Sequence, residues 1–275
     1  MLVKVFLEST KIITLVFVLM VLIEWLSVRF QDKLKRFLSL DKRWQIISAS
    51  LLGTIPGCVD AFFVVSLYSH GLVGFGALAA VMLSTAGDEA FVMLATDPKM
   101  AITVFVVCML LGIIGGYIAD KIAQKLALPR DGVCQLNLHP EKNGGQHFFK
   151  ERVYSHIIKQ HLPKLFLWIF LTLLGVQLLM SRFDLAQILP RNRLFLIILA
   201  ALIGIIPESG PHLIFITLYS QGLIPFSVLL VSTLSQDGHG LLPLISVSLK
   251  ETAKVQIFTT VFSLLVGIIL CILGI

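Results

Sequence analysis

Charge is scarce in this chain. Of its 275 residues, 14% are Asp, Glu, Lys or Arg, where soluble domains carry about 25%. Hydrophobic residues make up 57% and the mean hydropathy is +0.92. So little polar surface cannot cover a water-soluble globule, so an integral membrane protein is expected. Cysteine is scarce too. Cys58, Cys108, Cys134 and Cys271 show no C-x-x-C spacing and two lie in apolar runs, so neither a disulfide framework nor a structural zinc site is suggested. The net charge of +6 is no nucleic-acid signal, because the basic residues lie in loops. No A-x-A-like cleavage site follows Met1–Leu7, so the first apolar run is expected to be retained.

What the sequence has is long apolar tracts. Eight are separable: Ile12–Val28, Ile46–Tyr68, Leu72–Ala95, Met100–Ala119, Leu165–Met180, Leu194–Tyr219, Leu223–Ser248 and Val255–Gly274. A span needs about 20 such residues. Four tracts are interrupted by helix breakers: GTIPGCVDAF at Gly53–Phe62, STAGDEA at Ser84–Ala90, GIIPESGPH at Gly204–His212 and SQDGHG at Ser235–Gly240. Unpaired backbone groups cost several kcal/mol each in hydrocarbon, so these breaks must line a protein-enclosed space. The polar stretch from Asp120 to His161 reads as an extramembrane connector, and Arg29–Trp44 as a segment on the membrane surface.

Sliding the chain on itself by 151 positions pairs Gly53 with Gly204, Pro56 with Pro207, Tyr68 with Tyr219, Gly71 with Gly222, Phe75 with Phe226, Ser84 with Ser235 and Gly87 with Gly238, without a gap. Paired halves with breaks at matching positions are the pattern of secondary transporters, whose sites form between broken helices near the midplane. The expected organisation is a first transmembrane repeat over 1–119, a cytoplasmic connector over 120–162 and a second repeat over 163–275.

Charge sets the relation between the halves. Arg29, Lys33, Lys35, Arg36, Lys42 and Arg43 fill the first loop and eight further basic residues lie from Lys121 to Lys164, so both loops should be cytoplasmic. An even number of crossings must separate them, yet three apolar tracts intervene. One broken tract should therefore re-enter or split, giving five segments per half and inverted repeats. The expected fold is an all-α polytopic membrane protein of about eight to ten segments, with two inverted repeats and broken or re-entrant helices.

The first tract, both broken pairs and Leu165–Met180 contain Glu24, Asp60, Asp88, Glu89, Glu208 and Asp237 but no Lys or Arg. Each such group costs at least about 2.5 kcal/mol at bilayer depth, so carboxylates without basic partners call for cations or protons. His212 follows Glu208 by four residues and His239 follows Asp237 by two. Carboxylate with imidazole suits a divalent transition metal such as manganese, iron, cobalt or zinc. Alternatively, these side chains cap broken helix ends. The candidate metal residues are Asp237, His239, Glu208, His212, Asp60, Asp88, Glu89 and Glu24, with Glu24 able to carry metal or coupling proton. The metal is cargo and protons are the coupling ion, so no resident cofactor is implied. The partners are the divalent ion and the bilayer, and association with further copies of the chain stays open.

IPGCVDAFFVVSLYSHG with AGDEAFVMLA, followed by IPESGPHLIFITLYSQGLIPFS with QDGHGLLPLISVS, resembles the ten-span heavy-metal exporters of bacteria, labelled variously as manganese transporters or arsenic efflux proteins. The resemblance covers nearly the whole chain. It implies ten spans, a place in the inner membrane and export. The leading expectation is export of a divalent metal, manganese foremost, by proton antiport. Arsenite or oxyanion efflux fits less well, since Cys58 is the one cysteine in a break. An intramembrane metalloenzyme, with Glu208 as base, lacks an H-E-x-x-H motif to support it.

Overall fold

A helix closes its own backbone hydrogen bonds, so apolar segments in a bilayer become helical up to the point where Pro or Gly interrupts them. The computed structural model describes 41–57, 59–69, 71–126, 162–182, 192–206, 210–237, 240–241, 244–245 and 248–275, with parts of 2–21. Ten α-helices with defined bounds lie among these residues. The first five are α1 (Lys42–Gly53), α2 (Val59–Ser69), α3 (Phe75–Ser84), α4 (Glu89–Thr96) and α5 (Pro98–Lys125). The rest are α6 (Leu162–Arg182), α7 (Arg193–Gly204), α8 (Leu213–Ser220), α9 (Phe226–Ser235) and α10 (Leu249–Ile272), with a 3-10 turn at Gly210–His212 before α8. The long helices start on defined caps. Asp97 accepts from the Lys99 and Met100 amides ahead of α5, and Ser248 from the Glu251 amide ahead of α10. Phe75–Thr96, Pro98–Lys125 and Leu249–Ile272 are long and apolar enough to cross a membrane.

Helices of 8 to 12 residues reach only about 12–18 Å, roughly half of the hydrocarbon thickness. Each therefore needs a partner. In the first half α1 and α3 run side by side in one direction. A Cβ at Gly53 would lie 2.1 Å from Ser84 Oγ, and one at Gly76 would lie 3.0 Å from Ile46 Cδ1. The end of α2 returns to the start of α1, where Gln45 Nε2 donates to the Leu72 carbonyl at 3.4 Å. Thus α1 and α2 form a helical hairpin. α3, the break and α4 together make one crossing, and α5 comes back antiparallel to α3, with Gly116 against Gly76 and Gly112 against Ser84. The Lys42 and Lys125 ends consequently share one face. α5 runs on to Lys125, beyond the expected start of the connector at Asp120; most of that connector lies outside the described residues.

The second half packs in the same manner. A Cβ at Gly204 would sit 2.1 Å from Ser235 Oγ, and one at Gly267 would sit 2.4 Å from Val231 Cγ2 and 2.9 Å from Ile197 Cγ2. Arg193 Nη1 donates to the Gly274 carbonyl at 3.0 Å, joining the start of α7 to the end of α10. Between the halves, Phe75 meets Phe258 edge-on at 6.4 Å, and a Cβ at Gly115 would touch the Phe262 ring at 3.3 Å. The N-terminal end of α10 thus lies beside the N-terminal end of α3 and the C-terminal end of α5, so α5 and α10 run in opposite directions. The amino-terminal helical residues pack on α6 through Phe6 and Phe166, 5.9 Å apart.

Burial follows position. α3 and α9 are sealed in the centre, with Ala77–Leu83 and Val228–Leu234 buried throughout. α5 shows Ile102, Val106, Leu110, Ile114, Ile118 and Ile122 at every fourth position, exposed. Such a stripe would be costly in water and matches contact with lipid.

Candidate functional site

The breaks exist because Pro and Gly end the helices there, and they converge because the half-length helices stop at mid-depth. Gly57 (φ +117°) and Gly87 (φ +53°) adopt left-handed backbone closed to most side chains. The Gly57 amide donates to the Gly87 carbonyl at 3.2 Å, joining the first break to the second. A Cβ on Gly240 would come within 2.8 Å of Ala61 Cβ, so the fourth break abuts the start of α2, one residue from Asp60.

Around these contacts lies a buried polar centre organised by the C-terminal end of α9. Gln236 Nε2 donates to Glu89 Oε1 at 2.7 Å, tying the fourth break to the second. Thr233, one turn earlier, places its hydroxyl beside the same carboxylate. His212 Nδ1 pairs with Ser232 Oγ at 2.8 Å, which brings in the third break. Thr259 Oγ1, on α10, donates to Asp237 Oδ2 at 3.4 Å. Asp60, Asp88, Glu89, His212 and Asp237 are all buried, and no Lys or Arg is buried among the described residues.

Four of these groups keep capacity to spare. Glu89 Oε2, Asp237 Oδ1, Gln236 Oε1 and His212 Nε2 are buried with no hydrogen-bond partner. When His212 Nδ1–H donates to Ser232, Nε2 carries a lone pair and the ring is fixed as a metal ligand requires. The centre thus combines unsatisfied carboxylate, amide and imidazole donors in water-poor surroundings. Each such unpaired buried group costs about 1–3 kcal/mol.

Of the sequence-derived candidates, Asp60 lies in the first turn of α2, Asp88 just before α4 and Glu89 at its first position. His212 closes the 3-10 turn, and Asp237 stands two residues past α9. Glu24, Glu208 and His239 lie outside the described residues. Among the described residues no three His, Cys, Asp or Glu side chains form a group that could hold a metal ion. Sequence reading missed Ser232, Thr233 and Thr259, which look like ordinary small residues inside apolar helices. It also missed Glu251, buried in the first turn of α10, whose charge at the edge of a tract reads as interfacial.

Long apolar helices around half-length helices that end on an acidic centre are the arrangement of a multi-pass membrane protein. The chain belongs to the family described as "Putative, 10TM heavy-metal exporter", which it matches over residues 3–173 and 161–273. Neither a curated protein nor a solved structure matches it. Membership gives transport, metal efflux and a membrane location to the group as a whole, and accounts for the resemblance carried by the four break motifs.

Proposed function

We propose that the protein exports a divalent transition-metal cation, manganese foremost, across the cytoplasmic membrane in exchange for protons. The observation that carries this reading is the set of buried, partnerless ligand atoms, Asp237 Oδ1, Glu89 Oε2, His212 Nε2 and Gln236 Oε1, at the meeting point of the breaks with no buried Lys or Arg among the described residues. A cation neutralises the acids and fills the open valences, and returning protons compete with it for the same oxygens. Mn²⁺ is the weakest binder of the first-row series and favours oxygen-rich sites. A centre with Asp60, Asp88, Glu89 and Asp237 against one described histidine suits it better than zinc or copper. Glu208, His239 and Glu24 complete the proposed ligand and coupling set.

Alternating access has support in the arrangement of the halves. α1 and α7 have the same length and start 151 positions apart, as do α3 and α9. The clash partners recur at the same offset: Gly53 with Ser84 and Gly204 with Ser235, Gly116 with Ile46 and Ala80, Gly267 with Ile197 and Val231. Because α5 and α10 run in opposite directions, we read the halves as inverted repeats that rock about the shared centre. The arsenite reading has less support, since the described cysteines Cys108 and Cys271 stand on different helices. Asp237→Asn, made at normal level, is expected to abolish Mn²⁺ movement in proteoliposomes; transport at the wild-type rate would remove this assignment.

A further inference from the structure

Glu251 has a use that its local sequence does not suggest. Ser248-Leu249-Lys250-Glu251 has the S-x-x-E form of a capping box, in which the Glu turns back to the capping residue's amide. Here the Ser248 amide donates instead to the Leu244 carbonyl at 2.8 Å. The Glu251 side chain reaches the other half of the protein through Oε2, which accepts from the Tyr68 hydroxyl, while Oε1 accepts from Lys254 Nζ of its own helix at 2.7 Å. The carboxylate is 1% exposed although it sits in the first turn of the helix. It lies at the face shared by the Lys42 and Lys125 ends, which adjoin the basic loops and are therefore cytoplasmic.

A polar stripe runs from this point into the centre. Thr252, Gln256, Thr259 and Ser263 recur at spacings of four, three and four, one face of a helix. Thr252, Thr259 and Ser263 are buried. Gln256 Nε2 donates to the Ile205 carbonyl at the third break, at 2.7 Å, and Thr259 reaches Asp237 at the fourth. At the same register α5 carries Ala101, Phe105, Cys108 and Gly112, so of these two helices only α10 has such a wall. Eight residues separate Glu251 from Thr259, about 12 Å of helix rise, the distance from interface to mid-bilayer.

The geometry points to Glu251 as the cytoplasmic entrance site for a divalent cation, closed by Tyr68 and Lys254, with the hydroxyl and amide stripe of α10 as the wall along which the ion reaches Asp237. This rests on the exporter reading and adds the site at which cargo enters. Entry displaces Lys254 from one oxygen and the Tyr68 hydroxyl from the other, so loading loosens the contact between α2 and α10 at this face.

Two measurements test it in inside-out vesicles, which present the cytoplasmic face to the medium. In the otherwise native chain, Glu251→Gln is expected to raise the half-saturating Mn²⁺ concentration about tenfold from this face, the loss of one charge attraction. Exchange from the opposite face should be unchanged. In a chain whose four cysteines are replaced by Ala, Thr252→Cys is expected to react slowly with a membrane-impermeant maleimide, and several-fold faster when Tyr68→Phe is added. A Glu251→Gln variant that loses maximal rate equally from both faces, or a Thr252→Cys thiol whose reactivity is indifferent to the Tyr68 hydroxyl, would overturn the entrance site while leaving Asp237 in place. Wild-type vesicles that move no Mn²⁺ would instead overturn the exporter reading itself.

Discussion

The side-chain amide of Gln236 donates to the carboxylate of Glu89 at 2.7 Å, across 147 positions of sequence and between the two halves of the chain. Gln236 stands at the C-terminal end of α9 and Glu89 at the start of α4. The bond thus fastens one broken crossing to the other at the level where both lose helical structure. Gln236→Leu would strip Glu89 of its amide partner in a buried place, a loss of about 1–3 kcal/mol. The thermal unfolding midpoint in detergent should fall accordingly. Combining Gln236→Leu with Glu89→Gln should cost less than the two single changes together; strict additivity would show that the contact carries no coupling.

His212 is held through Nδ1 by Ser232, leaving Nε2 open in the centre. Removing the hydroxyl frees the ring to turn. Ser232→Ala is expected to weaken Mn²⁺ binding about 10–100-fold, the usual effect of losing a partner that orients a ligand. His212→Ala should weaken it at least as far. Isothermal titration of purified protein checks both, and an affinity untouched by either change would place His212 outside the site.

Gly53 and Gly204 each stand where a Cβ would lie 2.1 Å from a serine hydroxyl, Ser84 in one case and Ser235 in the other. Gly53→Ala and Gly204→Ala should therefore both destabilise, by about 1–3 kcal/mol as overpacked contacts do. Ser84→Gly relieves only part of the first clash, because the Val81 carbonyl is also 2.7 Å away. Detergent unfolding curves give the measurement. A tolerated alanine at one position but not the other would count against equivalent packing of the halves.

The proposed inversion of the halves would place the turn after α2 and the turn after α8 on opposite sides of the bilayer, although Gly71 and Gly222 stand 151 positions apart with nearly equal φ of 77° and 71°. In a cysteine-free background, Leu72→Cys should react with an impermeant thiol reagent only after cells are permeabilised, and Gln221→Cys in intact cells. Labelling of both from the same side would refute the inverted arrangement.

Much of this was written locally. Eight apolar tracts, the four breaks and the 151-residue offset needed only residue type and spacing, because hydrocarbon enforces helices and Pro or Gly ends them. The same holds for acids without neighbouring Lys or Arg in the broken tracts, and loop charge alone required that one broken tract between the basic loops re-enter or split. Tertiary structure decided that α2 folds back along α1, since Gln45 reaches Leu72 only then. It also decided which polar groups meet. Glu89 with Gln236, Asp237 with Thr259 and Glu251 with Tyr68 are pairs 147, 22 and 183 positions apart. Serines and threonines inside apolar helices look alike until packing turns some toward lipid or their own backbone and others toward a buried acid. Which face a residue presents is set by neighbouring helices, and no spacing along one stretch of sequence contains that choice.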